Sequence, residues 1–181
     1  PWCFIPRFGI PHNDGTEGKA RPIDNARVSG LNRTATLMDV PWLPWADVVL
    51  QTCQSFSTAG LPLYMGKFDH VSAYKQWPAW HSHVSKAALL VQHPQGTIHA
   101  FVNQALNFGA LGSVWGYCWL STAPAISISW TFLIPTLAYV DDFSVVAVTS
   151  RPLNAILELH KHLGIPIHSG PKALQDGKLV H

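Results

Sequence analysis

Residues 137–148, LAYVDDFSVVAV, set two adjacent aspartates between apolar, β-rich runs. Neighbouring carboxylates are costly in or near a core unless a cation neutralises them. PTLAYV (135–140) and FSVVAVT (143–149) each suit a strand, so Asp141 and Asp142 are expected at the tip of a tight hairpin. Such a tip can seat a hard divalent cation, because Mg²⁺ prefers oxygen ligands and takes one or two carboxylates plus substrate phosphates. The same pair also suits a plain solvated turn. A second, independent carboxylate decides between them.

Asp69 is such a residue: it closes the apolar run LYMGKF and begins the segment DHVSAYKQWP. Read alone, it equally suits the N-cap of a short helix over 71–77. Three carboxylates from two strand ends are enough for two metal ions, which phosphoryl-transfer sites hold about 3.5–4 Å apart.

The rest of the chain reads as α+β. The first 45 residues are rich in Pro, Gly, Asn and Arg, with a short alternating segment, ARPIDNARV, that suits a strand. Residues 44–57 place Trp45, Val48, Val49, Cys53 and Phe56 at helical spacing behind Pro44. VSKAALLVQ (84–92) and TIHAFVN (97–103) suit two strands joined by the turn HPQG, and a helix is expected within 111–131. Over 151–163, Leu153, Ile156, Leu157 and Leu163 form an apolar face, with Ser150 as N-cap and Gly164 as stop.

Residues 87–140 contain no Asp, Glu, Lys or Arg. A membrane span needs about 20 mostly apolar residues. Pro124, Pro135 and several Ser and Thr interrupt the nearest candidate, 116–140, so a buried helix and strand are favoured. Hydrophobic residues make up 48% of the 181 and charged residues 12%, which excludes a disordered chain. A net charge of +2 permits a nucleic-acid partner without demanding one. Cys3, Cys53 and Cys118 are odd in number and far apart, which points to free thiols in a reducing, intracellular compartment. His81 and His83, like His160 and His162, lie two apart with no Cys or carboxylate completing a zinc set. The eight tryptophans are read as packing residues. The absence of an initial Met and the ending at His181 suggest a piece of something longer.

The ordered motifs resemble those of the reverse transcriptases of retroelements and retroviruses. YVDD (139–142) is similar to that family's Tyr-x-Asp-Asp, and FDHVSAYKQWP (68–78) to its first palm motif, an Asp followed five residues later by an aromatic. NFGALGSV (107–114) resembles the segment between them, with Asn107 where Pro is usual. GKARPIDNARVSGLN (18–32) resembles the fingers stretch, and LGIPIHSGPKALQ (163–175) the segment ending in a lysine. Asp69 precedes Gly109 by 40 positions, and Gly109 precedes Asp141 by 32.

The resemblance implies a right-hand polymerase palm, an antiparallel sheet with helices on one face and an Asp-Asp hairpin, plus partial fingers and no thumb. Residues 1–62 and 78–106 would be fingers-like, and 63–77 and 107–181 palm-like. It implies that Asp69, Asp141 and Asp142 hold Mg²⁺ or Mn²⁺, and that Lys19 and Arg21 clamp the phosphates of a deoxynucleoside triphosphate. A solvated basic loop, with Asp24 pairing Arg21, is the plainer reading of that segment. Tyr74 would exclude a ribose 2′-hydroxyl, or simply pack in a core. Phe108 and Gly109 would lie under the templating base pair. Lys172 would protonate the leaving pyrophosphate, or be a surface lysine. The partners implied are an RNA or DNA template-primer and deoxynucleoside triphosphates. An RNA-dependent RNA polymerase shares the paired aspartates but usually carries Gly-Asp-Asp and no aromatic gate. A palm that binds nucleic acid or partners without catalysis is the reading outside enzymology.

Overall fold

The computed structural model describes residues 3–11, 20–44, 46–168 and 175–178, the last as backbone only. Two compact units divide the chain: Pro1–Val40 with Tyr74–Gly116, and Pro41–Ala73 with Tyr117–His181.

The first unit is built on a four-stranded mixed sheet. Strand β1 (Phe4–Pro11) pairs antiparallel with β2 (Ala20–Asp24) and parallel with β4 (Ala88–Gln92), which pairs antiparallel with β5 (Ile98–Val102). The turn HPQG joins β4 to β5: His93 N donates to the Thr97 carbonyl at 2.8 Å, and Gly96 adopts a φ of +88°. Strand β4 is shorter than the apolar pattern suggests, because residues His81–Lys86 wind into a 3₁₀ helix. Helix α1 (Leu31–Thr34) is a single turn.

The second unit holds an antiparallel sheet in the order β6 (Thr136–Tyr139), β7 (Asp142–Ala147), β3 (Tyr64–Asp69), β8 (Gln175–Lys178). Side chains alternate across a strand, so one face of this sheet carries Phe68, Phe143, Val145 and Ala138. These pack against Ala125 and Ile128 of α3 (Leu111–Phe132) and Leu153 and Ile156 of α4 (Arg151–His162), forming the main core. Phe68 and Phe143 are direct cross-strand partners and stack with ring centroids 4.6 Å apart. Cross-strand aromatic pairs of this kind are what stabilises a sheet beyond its ladder.

The opposite face is divided. Val146 is covered by Cys53, Val49 and Phe56 of α2 (Ala46–Thr58), so the helices do not all lie on one face as expected. Beyond α2, Lys67 and Asp142 of that face are exposed.

Local signals account for most helix limits. Gly164 ends α4 with a φ of +69°, and Ile165 N donates to the His160 carbonyl at 2.9 Å. Ser150 precedes α4 but has α-region backbone and makes no side-chain cap bond, so its expected capping role is not taken up. The helix expected over 71–77 is a 3₁₀ turn at Ala73–Gln76. Helix α3 contains Pro124, yet no helix among the described residues is long and apolar enough to cross a membrane.

Candidate active site

The geometry of the second unit follows from the β3–β7 register. Asp69 lies directly opposite Asp142. Opposed residues in an antiparallel pair have Cβ atoms about 4.5–5.5 Å apart, on one face. Asp141 occupies the adjoining turn. Tyr139 pairs with Asp142, leaving Val140 and Asp141 as a two-residue connection. Val140 adopts a φ of +57°, the left-handed value that primed hairpin turns require at their first position. A β-branched residue there is strained.

The two strand ends are tied together by backbone. His70 N donates to the Asp141 carbonyl at 3.4 Å. The chain Pro166–His168 runs alongside, with Val71 N donating to Pro166 O at 3.0 Å and His168 N to Asp69 O at 3.1 Å. Asp69 and Asp142 each face a nitrogen: His168 Nε2 stands 3.5 Å from Asp69 Oδ2, and Lys67 Nζ 3.3 Å from Asp142 Oδ1. Both contacts are at least partly solvated, so neither is worth more than about 1 kcal/mol. Opposed carboxylates repel, and the Lys67 ammonium beside Asp142 lessens that repulsion. Among the described residues, no three His, Cys, Asp or Glu side chains are gathered as a ready-made metal cluster. The hard oxygen donors of Asp69 and Asp142, on a solvent-reached face, nevertheless suit a Mg²⁺ ion that completes its shell with water and phosphate.

Beneath the carboxylates lies a buried polar cluster. His70 is 3% exposed, and its Nδ1 is 2.6 Å from the Tyr117 hydroxyl. Burial, with a smaller contribution from nearby His160, lowers its pKa to about 4. His160 is fully buried, its pKa lowered by the same desolvation although Nδ1 sits 2.9 Å from the Ile156 carbonyl. Both rings are neutral at pH 7.

The first unit holds the other candidates. Arg21 is exposed on β2. Asp24, the partner expected for it, is taken by Arg7: Nε to Oδ1 at 2.6 Å and Nη2 to Oδ2 at 2.9 Å. That bidentate bond also raises the Arg7 pKa further. Gly109 has a φ of +92°, and a Cβ there would stand 2.4 Å from the Asp24 carbonyl oxygen, so only glycine fits. Asn32 holds the same loop, donating from Nδ2 to Gly109 O at 3.1 Å and accepting from Leu111 N at 2.8 Å. Tyr74 is 7% exposed and meets half-exposed Phe108 edge-on, centroids 5.4 Å apart. Lys19 and Lys172 lie outside the described residues.

Sequence reasoning missed Lys67, His168, His70, Tyr117 and His160. Lys67 was within reach, since residues two apart on a strand share a face. His168 and the histidine cluster carry no local signal.

No protein-family model matches the sequence, and no curated protein does. Among solved structures, a foamy viral protease-reverse transcriptase in complex with double-stranded DNA is similar, with a TM-score of 0.59 and 18% identity. The match covers 90% of this chain and 26% of that one. At that identity the likeness is one of fold, a reverse-transcriptase-like α+β arrangement.

Proposed function

We propose that the chain carries the palm and part of the fingers of an RNA-directed DNA polymerase. The observation that most supports this is the direct opposition of Asp69 and Asp142 across β3 and β7, with Asp141 at the strained turn beside them. Two carboxylates facing each other on an exposed sheet surface repel, and a divalent cation bound between them would relieve that repulsion.

In this reading Asp69, Asp141 and Asp142 hold Mg²⁺ or Mn²⁺. Bound there, the ions would lower the charge barrier between a primer 3′-hydroxyl and a nucleoside triphosphate. Lys67 and His168 keep the carboxylates paired beforehand and release them on loading. Arg21, with Lys19, binds the β and γ phosphates through charge-assisted hydrogen bonds. Tyr74, its ring held by Phe108, blocks a 2′-hydroxyl. Gly109 allows close backbone approach beneath the templating pair. The 3′-hydroxyl gives up its proton to solvent as its oxygen bonds to the α-phosphorus, the bond to the bridging oxygen breaks, and the Lys172 ammonium gives a proton to the leaving pyrophosphate. The partners are an RNA or DNA template-primer and deoxynucleoside triphosphates.

The test is primer extension on an RNA template by the protein and by Asp141→Asn. Extension that needs Mg²⁺ or Mn²⁺ and disappears in the variant, with the fold retained by circular dichroism, supports the proposal. Activity surviving in Asp141→Asn refutes the metal assignment. Template-primer binding without extension by the unaltered protein favours a palm that binds nucleic acid without catalysis.

A further inference from the structure

Helix α3 turns one side to the sheet and leaves the other in solvent. Ala125 and Ile128 are buried in the main core, and Tyr117, Cys118 and Ser121 are buried as well. Trp119, Ile126 and Trp130 are 47%, 52% and 79% exposed. With exposed Ala123 they recur at steps of four, three and four, so they form one stripe along the helix. Leu133 follows one step of three later, just past the helix end, and is 83% exposed. Its φ of +52° is the left-handed value that helix stops usually give to glycine.

We propose that this stripe is the interface of a two-fold dimer, in which α3 packs antiparallel against α3 of a second copy of the chain. The proposal does not rest on the polymerase reading.

The order of side chains along the stripe names the occupant. In an antiparallel two-fold pair the same patch faces itself in reverse order. About an axis at Ile126, Ile126 meets its own copy, Trp119 meets Leu133, and Trp130 falls across Thr122 and Ala123. A large ring thus meets small side chains, and both ends of the stripe stay apolar. Large set against small is what lets two helices close to packing distance.

The area agrees. A buried aromatic side chain covers about 150–250 Å², so the exposed parts of Trp119, Ile126, Trp130 and Leu133 come to on the order of 500 Å² per copy. A patch of that size is at the upper end of what monomers leave bare. With exposed Ala123, Ser127 and Thr131 beside it, it approaches the roughly 800 Å² that each partner gives to a stable interface.

The charge pattern argues against other occupants. Residues 87–140 contain no Asp, Glu, Lys or Arg. A nucleic-acid backbone is held by Lys and Arg, and a helix lying on a lipid surface carries them along its polar side. An uncharged stripe is best matched by another, and the second copy supplies one of the same length.

Sedimentation velocity on the full chain over a concentration series reads the association directly. The expected result is a concentration-dependent shift from the mass of one chain to that of two. Trp130→Lys changes a side chain already in solvent, and Ile126→Glu sets two carboxylates against each other on the axis. Each should raise the dissociation constant at least about tenfold, with circular dichroism unchanged. Cross-linking with diamide then tests the axis, with the unaltered protein, whose Cys53 and Cys118 are buried, as control. Ile126→Cys should link to its own copy, and Trp119→Cys should link to Leu133→Cys when the two proteins are mixed. A chain that stays monomeric throughout overturns the proposal. So does a dimer that survives both Trp130→Lys and Ile126→Glu, because it uses another face. Failure of Ile126→Cys to link within a dimer overturns the antiparallel axis. A monomer that binds phosphatidylcholine vesicles, and loses that binding in Trp130→Lys, gives the stripe to lipid and overturns the dimer.

Discussion

Replacing Val140 by Asn should stabilise the protein and impair its proposed activity together. Val140 is the first of two residues linking Tyr139 to Asp142, and its φ of +57° is a left-handed conformation. That conformation costs a β-branched residue about 1–3 kcal/mol. Asparagine tolerates it, because its short polar side chain bonds locally, and it avoids the unfolded-state entropy that glycine adds. Val140 is only half-buried, so the apolar burial lost offsets part of the gain, on the order of 0.5–1 kcal/mol. A net stabilisation of about 1 kcal/mol remains, a rise in Tm of about 2–4 °C for a chain of this size. Calorimetry on the protein and Val140→Asn measures it. Strain at a functional turn is retained because it aims side chains, so primer extension should fall as stability rises. An unchanged or lower Tm would refute the strain argument outright. A higher Tm with undiminished extension would leave the strain real but sever it from the carboxylates.

Three further outcomes follow from the same geometry. Gly109→Ala forces a Cβ to within 2.4 Å of the Asp24 carbonyl oxygen at a φ of +92°, so denaturant unfolding should show a loss of about 2 kcal/mol or more; a near-neutral result would mean the loop is not held as described. Acidification should destabilise the metal-free protein between pH 6.5 and 4. His70 titrates near 4 when folded and near 6.5 when unfolded, so the unfolded chain binds more protons in that window and stability falls with pH, by about 3 kcal/mol in all. The groups facing its ring are His160, lowered in the same direction, and the Tyr117 hydroxyl, so urea midpoints that stay flat from pH 7 to 4.5 would contradict buried neutral imidazoles. Tyr74→Ala should admit ribonucleotides, and because the ring also packs on Phe108 it should cost about 3 kcal/mol of stability. The ratio of deoxynucleotide to ribonucleotide kcat/KM is independent of the folded fraction, so an unchanged ratio would refute the gate.

What could be read from the chain alone was whatever depends on neighbours in sequence. The runs 135–140 and 143–149 announce two strands, and so short a link between them leaves room only for a tight turn. The α4 stripe of Leu153 and Ile156 was equally visible, as was the stop at Gly164. The alternation that makes β3 a strand also placed Lys67 and Asp69 on one face, so the Lys67–Asp142 pair needed only the register to be found. Register is where legibility ended. That Asp69 faces Asp142, and not a residue one step along, is set by how the whole sheet packs on α3 and α4, and a one-residue slip would turn the carboxylates into the core. The clamp of Asn32 on Gly109 spans 77 positions, and Arg7 takes Asp24 in place of the nearer Arg21. Ser150 had the right chemistry for a cap and the wrong backbone to use it. His160 and His162, two apart on α4, are buried and exposed respectively, and spacing alone could say nothing of where the inward ring goes. It goes beneath the carboxylates, beside the ring of the residue that follows Asp69. A local pattern can thus nominate the acids, while long-range packing decides what holds them apart and what holds them still.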